Sequence, residues 1–204
     1  GYGRNWRKIA QEFATTELVL TFDQRGHGKS MKPLTGYSPE DYAQDLYLIL
    51  QELDWNKIIL VGHSLGGRNA LMFGARFPEK LEKLVIVDIG PDSKAGAPSF
   101  YQRLLNLVPT PFASKQEAKS FLTSLGTDTK DDRLSQTLGA YLYSNIEELP
   151  DGRADWRFSK EAMILSIQQG RVHDHWNEFR QLSMPTLIIR GELSKDLSQD
   201  EFKR

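Results

Sequence analysis

Apolar residues along this chain fall into two alternating textures. Residues 18–22 (LVLTF), 57–61 (KIILV), 84–87 (LVIV) and 185–190 (PTLIIR) are short, nearly continuous apolar runs. Runs of that length predict strands of a parallel sheet covered on both faces. The segments between them space their apolar residues three and four apart, which predicts helices. Residues 5–13 put Trp6, Ile9, Ala10 and Phe13 on one side of a short amphipathic helix. Ser38-Pro39-Glu40 opens a second, with Ser38 as N-cap and Pro39 at the first helical position. Tyr42, Leu46, Ile49, Leu50 and Leu53 supply its buried stripe. A third runs from Leu65 to about Phe77 and stops at Pro78. Strands alternating with helices define an α/β fold.

The texture changes at Pro91. From there to about Met184 no strand run occurs. Apolar residues recur at helical spacing instead: Tyr101, Leu104, Leu105 and Val108, then Ala118, Phe121, Leu122 and Leu125, then Leu134, Leu138, Tyr141 and Leu142. The expected organisation is an α/β core over 1–90 without its first strands, a helical cap insert over 91–184, and a return to the core over 185–204 without its last helix and strand. A cap belongs over the carboxyl edge of the sheet, where open parallel sheets bind ligands.

Composition excludes several classes of function. The 204 residues carry 26 Lys+Arg against 27 Asp+Glu, a net charge of −1, with no basic run for nucleic acid and no acidic tail. No apolar stretch approaches the roughly 18 residues of a membrane span. Without cysteine there is no disulfide framework, thiol nucleophile or thiolate metal site. The cytoplasm is compatible with that. Gly28-Lys29-Ser30 lacks the upstream glycine of a phosphate loop, since Asp23 stands there, and Trp6 stands where Gly1-Tyr2-Gly3 would need the third glycine of a dinucleotide fingerprint. His173 and His175 in VHDHW have a spacing a metal could use, but the pair is too short to define a site. No metal and no cofactor are expected.

One motif carries chemistry. Gly62-His63-Ser64-Leu65-Gly66 follows an apolar strand and opens a helix, as a nucleophile elbow requires. Ser64 is the expected nucleophile, on a sharp turn that lifts its hydroxyl clear of the sheet. Side chains at 62 and 66 are expected to collide across that turn. The helix N-terminus favours a developing oxyanion, and the Leu65 N–H is the expected donor. His63 should point away from Ser64 and serve the structure. A serine hydroxyl needs a general base, and the base needs an orienting acid. Asp88 closes the next strand. One βα crossover sets the two strand ends on the same edge, within reach of a histidine facing Ser64.

Together these residues resemble the α/β-hydrolase superfamily. DQRGHGKS at 23–30 and VGHSLGG at 61–67 are similar to its small esterases. VDIGP at 87–91 and DGRADWRF at 151–158 resemble the group of small acyl-esterases that includes bacterial short-chain esterases and mitochondrial α/β-hydrolase-domain proteins. The resemblance implies two places for the triad acid. Many relatives put it near the third residue after the glycine that ends the strand at 185–190. That residue is Ser194 here, with Glu192 and Asp196 close by. Bacterial members use the aspartate of the VDI motif, which favours Asp88. The triad order Ser, acid, His is not met by His27, His63, His173 or His175, so the base is expected beyond Arg204. The second oxyanion donor belongs to a loop of which Gly1-Tyr2-Gly3 looks like the tail. The implied activity is a serine esterase or thioesterase acting on small or medium apolar acyl groups, with no cofactor. A C–C hydrolase or lyase on the same triad and a non-catalytic interaction protein are the alternatives.

Overall fold

The chain is seen in a computed structural model that describes residues 2–93, 97–125 and 139–204, the side chains of 97–100 and 125 excepted. Its helices are α1 (Arg7–Phe13), α2 (Pro39–Glu52), α3 (Leu65–Arg76), α4 (Ala97–Leu107), α5 (Lys115–Leu125), α6 (139–144), α7 (Lys160–Gln169), α8 (Trp176–Arg180) and α9 (Gln199–Lys203). Its strands are β1 (Ile58–His63), β2 (Leu81–Val87), β3 (Ile146–Glu148), β4 (Ala154–Trp156) and β5 (Thr186–Ile189). They form two compact units: Pro33–Ser99 with Ile164–Arg204, and Tyr2–Lys32 with Phe100–Met163.

The first unit is built on a three-stranded parallel sheet in the order β1-β2-β5. Central β2 buries Leu84 and Ile86 on one face. On that face lies α3, with α2 and α8 against it. Helix α2 begins as its sequence predicts. The Ser38 hydroxyl accepts the Asp41 N–H at 3.2 Å, and the Asp41 carboxylate accepts the Ser38 N–H at 2.9 Å, a reciprocal cap with Pro39 in the first turn. Tyr42, Ala43, Leu46 and Leu50 are buried; Ile49 is half-buried and Leu53, at the C-cap, is exposed. The other sheet face is open. Ile59, Val61, Leu187 and Ile189 are between 39% and 56% exposed, so cover on both faces does not hold for the described residues.

The second unit departs further from expectation. Residues 18–22 form no strand, and Leu18 is 81% exposed. A strand exists only by hydrogen-bonding a neighbour, and no strand of the described residues pairs with this run. Helix α1 buries none of its residues, with Ile9 and Phe13 about half exposed, so its apolar stripe lacks the cover it was expected to have. The insert also contains strands. β3 and β4 pair as an antiparallel hairpin, and Phe112 bridges to Ala154 on β4. Three-residue strands that mix Ile146, Ala154 and Trp156 with Glu147, Glu148 and Asp155 are too short to show an alternating period. The helical spacings fare better. Leu105 and Val108 on and after α4, and Ala118 and Leu122 on α5, are buried. Leu142 of α6 is buried and Tyr141 exposed, while Leu134 and Leu138 lie outside the described residues.

The loop at 23–30 is braced by Asp23, whose carboxylate accepts the N–H groups of Gly3 (2.9 Å) and Lys29 (3.0 Å). Inside it His27 is buried. Its Nδ1–H donates to the Arg25 carbonyl at 3.0 Å, and its ring tilts against Phe158. Burial pushes its pKa from 6.5 to about 3. Below about pH 6.5 the unfolded chain takes up a proton that the folded one refuses, so this contribution is complete above pH 6.5 and lost as pH falls. His27 alone should cost about 2 kcal/mol between pH 7 and pH 5. Urea midpoints at the two pH values measure this, and the drop should shrink in His27→Gln.

Candidate active site

β1 passes into α3 with one residue between them. That residue, Ser64, is held at φ 52° and ψ −121°. A non-glycine residue there is strained by roughly 1–3 kcal/mol, and the surrounding backbone shows what holds it. The Ser64 N–H donates to the Val87 carbonyl on β2 at 2.9 Å, and its own carbonyl accepts the N–H groups of Gly67 (2.9 Å) and Arg68 (3.1 Å) in the first turn of α3. Leu65 is the first helical residue, so its N–H has no intrahelical partner and is free at the positive end of the helix.

Two glycines make the turn possible, and one of them was not expected. A side chain at Gly62 would meet the Gly66 carbonyl and the Gly67 Cα, the latter at 2.8 Å. At Gly66 a side chain would meet nothing within 4 Å, so the collision expected there does not occur. The second tight position is Gly67, where a side chain would come within 2.6 Å of Ile89 and 3.1 Å of the Gly62 carbonyl. The crowding comes from α3 pressed onto β1 and β2, and only residues facing the sheet feel it.

Asp88 stands where the crossover puts it. His63 pairs with Val87 across the β1–β2 ladder, so Ser64 and Asp88 are the next residues at adjacent strand ends. Asp88 is half-buried at φ 58°. Its N–H donates to the Ile189 carbonyl at 2.8 Å, and its Oδ1 accepts the Gly191 N–H at 3.0 Å. Asp196 is engaged elsewhere: Arg171 donates to its Oδ1 at 3.4 Å. Glu192 is exposed, and the Ser194 hydroxyl accepts the Leu197 N–H at 3.1 Å. The histidines are dispersed. His63 is exposed at the end of β1, His27 bonds within its own loop, His173 is exposed, and the His175 Nε2–H donates to the Gly170 carbonyl at 3.1 Å. None of these bonds involves Ser64.

Arg68, one turn into α3, escaped the sequence reading. It is 3% exposed and donates to three carbonyls: Gly170 (3.0 Å), Gly90 (3.1 Å) and Asp92 (3.0 Å). Burial, with Arg171 adding repulsion, lowers its pKa to about 10, which leaves it charged at neutral pH. It ties the loop after β2 and the turn after α7 to α3. The signal was its position. An arginine inside LGGRNALMFGAR, a helix apolar on nearly all sides, has to be buried and so has to be satisfied.

The chain belongs to the alpha/beta hydrolase fold family, whose model matches residues 1–197. It is 28% identical over 191 residues to the 2-(acetamidomethylene)succinate hydrolase of Mesorhizobium japonicum, covering 94% of this chain and 65% of that protein. It is 27% identical over 209 residues to the sn-1-specific diacylglycerol lipase ABHD11 of Danio rerio, covering 99% of this chain and 63% of that one. The chain therefore spans slightly less than two thirds of these relatives' length. The crystal structure of E-2-(acetamidomethylene)succinate hydrolase superposes with a TM-score of 0.83 at 27% identity, over 99% of this chain and 73% of the other. No helix among the described residues is long and apolar enough to cross a membrane.

The two glycines of the elbow motif should respond oppositely to alanine. Gly62→Ala has to displace backbone and should destabilise by about 4 kcal/mol, in the exceptional range for one substitution. Gly66→Ala has room and gains helix propensity, so it should be neutral or stabilising by up to about 1 kcal/mol. Urea denaturation of the two variants measures the contrast.

Proposed function

We propose that Ser64 is the nucleophile of a serine hydrolase that cleaves carboxylic esters or thioesters of small or medium apolar acyl groups. The observation that carries this reading is the strained Ser64 backbone at the free N-terminus of α3. Ser64 Oγ attacks the acyl carbonyl and passes its proton to a histidine. The oxyanion rests on the Leu65 N–H. Collapse expels the alcohol or thiol, which takes the proton from the histidine, and leaves an acyl-serine that water then hydrolyses. Asp88 orients the histidine. Its place beside Ser64 and the commitment of Asp196 to Arg171 support it over the rival acid. The base is a histidine, and none of His27, His63, His173 and His175 is bonded to Ser64.

The relatives favour two kinds of substrate. A diacylglycerol lipase supports an ester, whereas a hydrolase of 2-(acetamidomethylene)succinate supports a carbonyl compound that is not an ester. C–C or lyase chemistry on the same nucleophile is the alternative. A panel of acyl esters, acyl thioesters and 2-(acetamidomethylene)succinate, run on the whole protein, separates them.

On the preferred substrate, Ser64→Ala should lose at least about 10⁴-fold in kcat and all labelling by a fluorophosphonate. Asp88→Asn should lose roughly 10⁴-fold, as for an orienting acid, while Asp196→Asn stays within about tenfold of wild type. Turnover or labelling retained in Ser64→Ala overturns the mechanism. Asp196→Asn as the more damaged aspartate variant reassigns the acid.

A further inference from the structure

The segment from Gly170 to Glu178 contains a polar cluster that the hydrolase chemistry does not use. His173, His175 and Glu178 each point one ligand-capable atom at the others, all within 4.8 Å of one another. The His173 and His175 rings lie 4.9 Å apart between centroids. His175 is 1% exposed, Glu178 half-buried and His173 at the surface.

The bonding of His175 decides what this cluster can hold. Its Nε2 faces the Gly170 carbonyl at 3.1 Å. A carbonyl only accepts, so Nε2 carries the proton. In the neutral ring Nδ1 is then a bare lone pair. That atom is buried and has no hydrogen-bond partner, and the same is true of Glu178 Oε2, which it faces at 3.8 Å. The separation is too long for a hydrogen bond. Two buried acceptors therefore point at each other with no donor between them. Buried polar groups are very rarely left so, and a cation between them removes the conflict.

We propose that His173, His175 Nδ1 and Glu178 Oε2 bind a divalent transition-metal ion of the zinc type. Two imidazoles and one carboxylate are a donor set such ions favour, whereas Mg²⁺ and Ca²⁺ favour oxygen alone. Bonds of about 2.0–2.2 Å in tetrahedral geometry put ligand atoms about 3.4 Å apart. The buried pair, at 3.8 Å, needs to close only slightly. The larger adjustment falls on His173, whose exposed ring is free to turn, and solvent can reach the fourth position from the same side. The Nε2–H bond to a backbone carbonyl is the outer contact that fixes ring and tautomer for a metal-bound histidine. Here that carbonyl also accepts from Arg68, so the ring is oriented by a group held to α3. Asp174, between the histidines, is turned away and accepts the Trp176 N–H at 3.3 Å.

The sequence spacing of His173 and His175 was too little to define a site. The third ligand, in the first turn of the following helix, and the unpartnered lone pairs supply what it lacked. The ion holds the start of α8 to the turn after α7, and the site is independent of Ser64 chemistry.

The test is calorimetric titration of Zn²⁺ into metal-stripped whole protein at neutral pH, with Co²⁺ as a visible-absorption probe and Mg²⁺ as the hard-cation control. One Zn²⁺ should bind with micromolar or tighter affinity, Co²⁺ should give intense tetrahedral bands, and Mg²⁺ should not compete. His173→Gln and Glu178→Gln change accessible positions and should each weaken Zn²⁺ by about tenfold or more. Asp174→Asn should leave it unchanged. His175→Gln, with its fold verified by circular dichroism, should abolish the Co²⁺ bands. Absence of stoichiometric binding, or equal affinity in wild type, His173→Gln and Glu178→Gln, overturns the proposal.

Discussion

The structure of the sheet unit depends on one close approach. β1 turns into α3 through Ser64 alone, and α3 then lies on β1 and β2 with no side chain between backbones at Gly62 and Gly67. A strand that becomes a helix over a single residue cannot do so with relaxed dihedrals, so Ser64 takes the strain. Contacts spread along both elements hold it there. The ladder bond from Ser64 to Val87, the first turn of α3, and the fit of Gly67 against Ile86 and Ile89 each resist relaxation. Strain persists where surrounding packing over-determines it. The same geometry leaves the Leu65 N–H unpartnered and aims the helix dipole at the turn. Strain, an unpartnered N–H and positive potential are three consequences of one packing decision.

Arg68 extends that decision outward. One turn along α3, it meets the ends of two loops at the carbonyls of Gly90, Asp92 and Gly170. Its charge is solvated by peptide dipoles instead of a carboxylate, and desolvation is the largest influence on its pKa. Removing the guanidinium would leave the Gly90 and Asp92 carbonyls without a donor, at about 1–3 kcal/mol for a buried one, and the Gly170 carbonyl with His175 alone. Lysine could not replace it, because a single ammonium cannot span carbonyls on two loops as the planar fork does. The loop after β2, which begins with Asp88, is thus anchored to the helix that begins after Ser64.

Much of this was legible from residues that act locally. Ser38-Pro39-Glu40-Asp41 caps α2 within four residues, and an apolar strand running into Gly-x-Ser-x-Gly marks the sharp strand-to-helix turn at Ser64. What stayed illegible depends on distant partners. LVLTF has the composition of a buried strand, but composition supplies only the side chains. The ladder needs a neighbouring strand, and none of the described residues offers one. Ile9 and Phe13 on α1 fail in the same way, as an apolar stripe without its cover. The hairpin of β3 and β4 failed for the opposite reason, since its pairing is real but its strands are shorter than the period that would reveal them. Gly66 and Gly67 divide along the same line. The motif marks Gly66, but crowding is set by which residue faces β2, and that is a property of helix rotation.

The two candidate acids show how context separates identical carboxylates. Asp196 lies after β5, and it is already used. Arg171, with a side chain only 7% exposed, donates to it and also to the Ser93 carbonyl. Taking Asp196 for a histidine would leave a buried guanidinium without its anion, a loss larger than an exposed pair would suffer. Asp88 has no such commitment. It ends β2 with φ at 58°, a conformation aspartate tolerates better than most residues, and its one recorded side-chain bond is to the Gly191 N–H at the end of β5. That bond orients the carboxylate without neutralising it. A backbone N–H removes no charge, whereas an arginine partner already balances the charge of Asp196. Of the two carboxylates at the strand ends, the buried guanidinium of Arg171 thus claims Asp196, and Asp88 keeps its charge unpaired among the described residues.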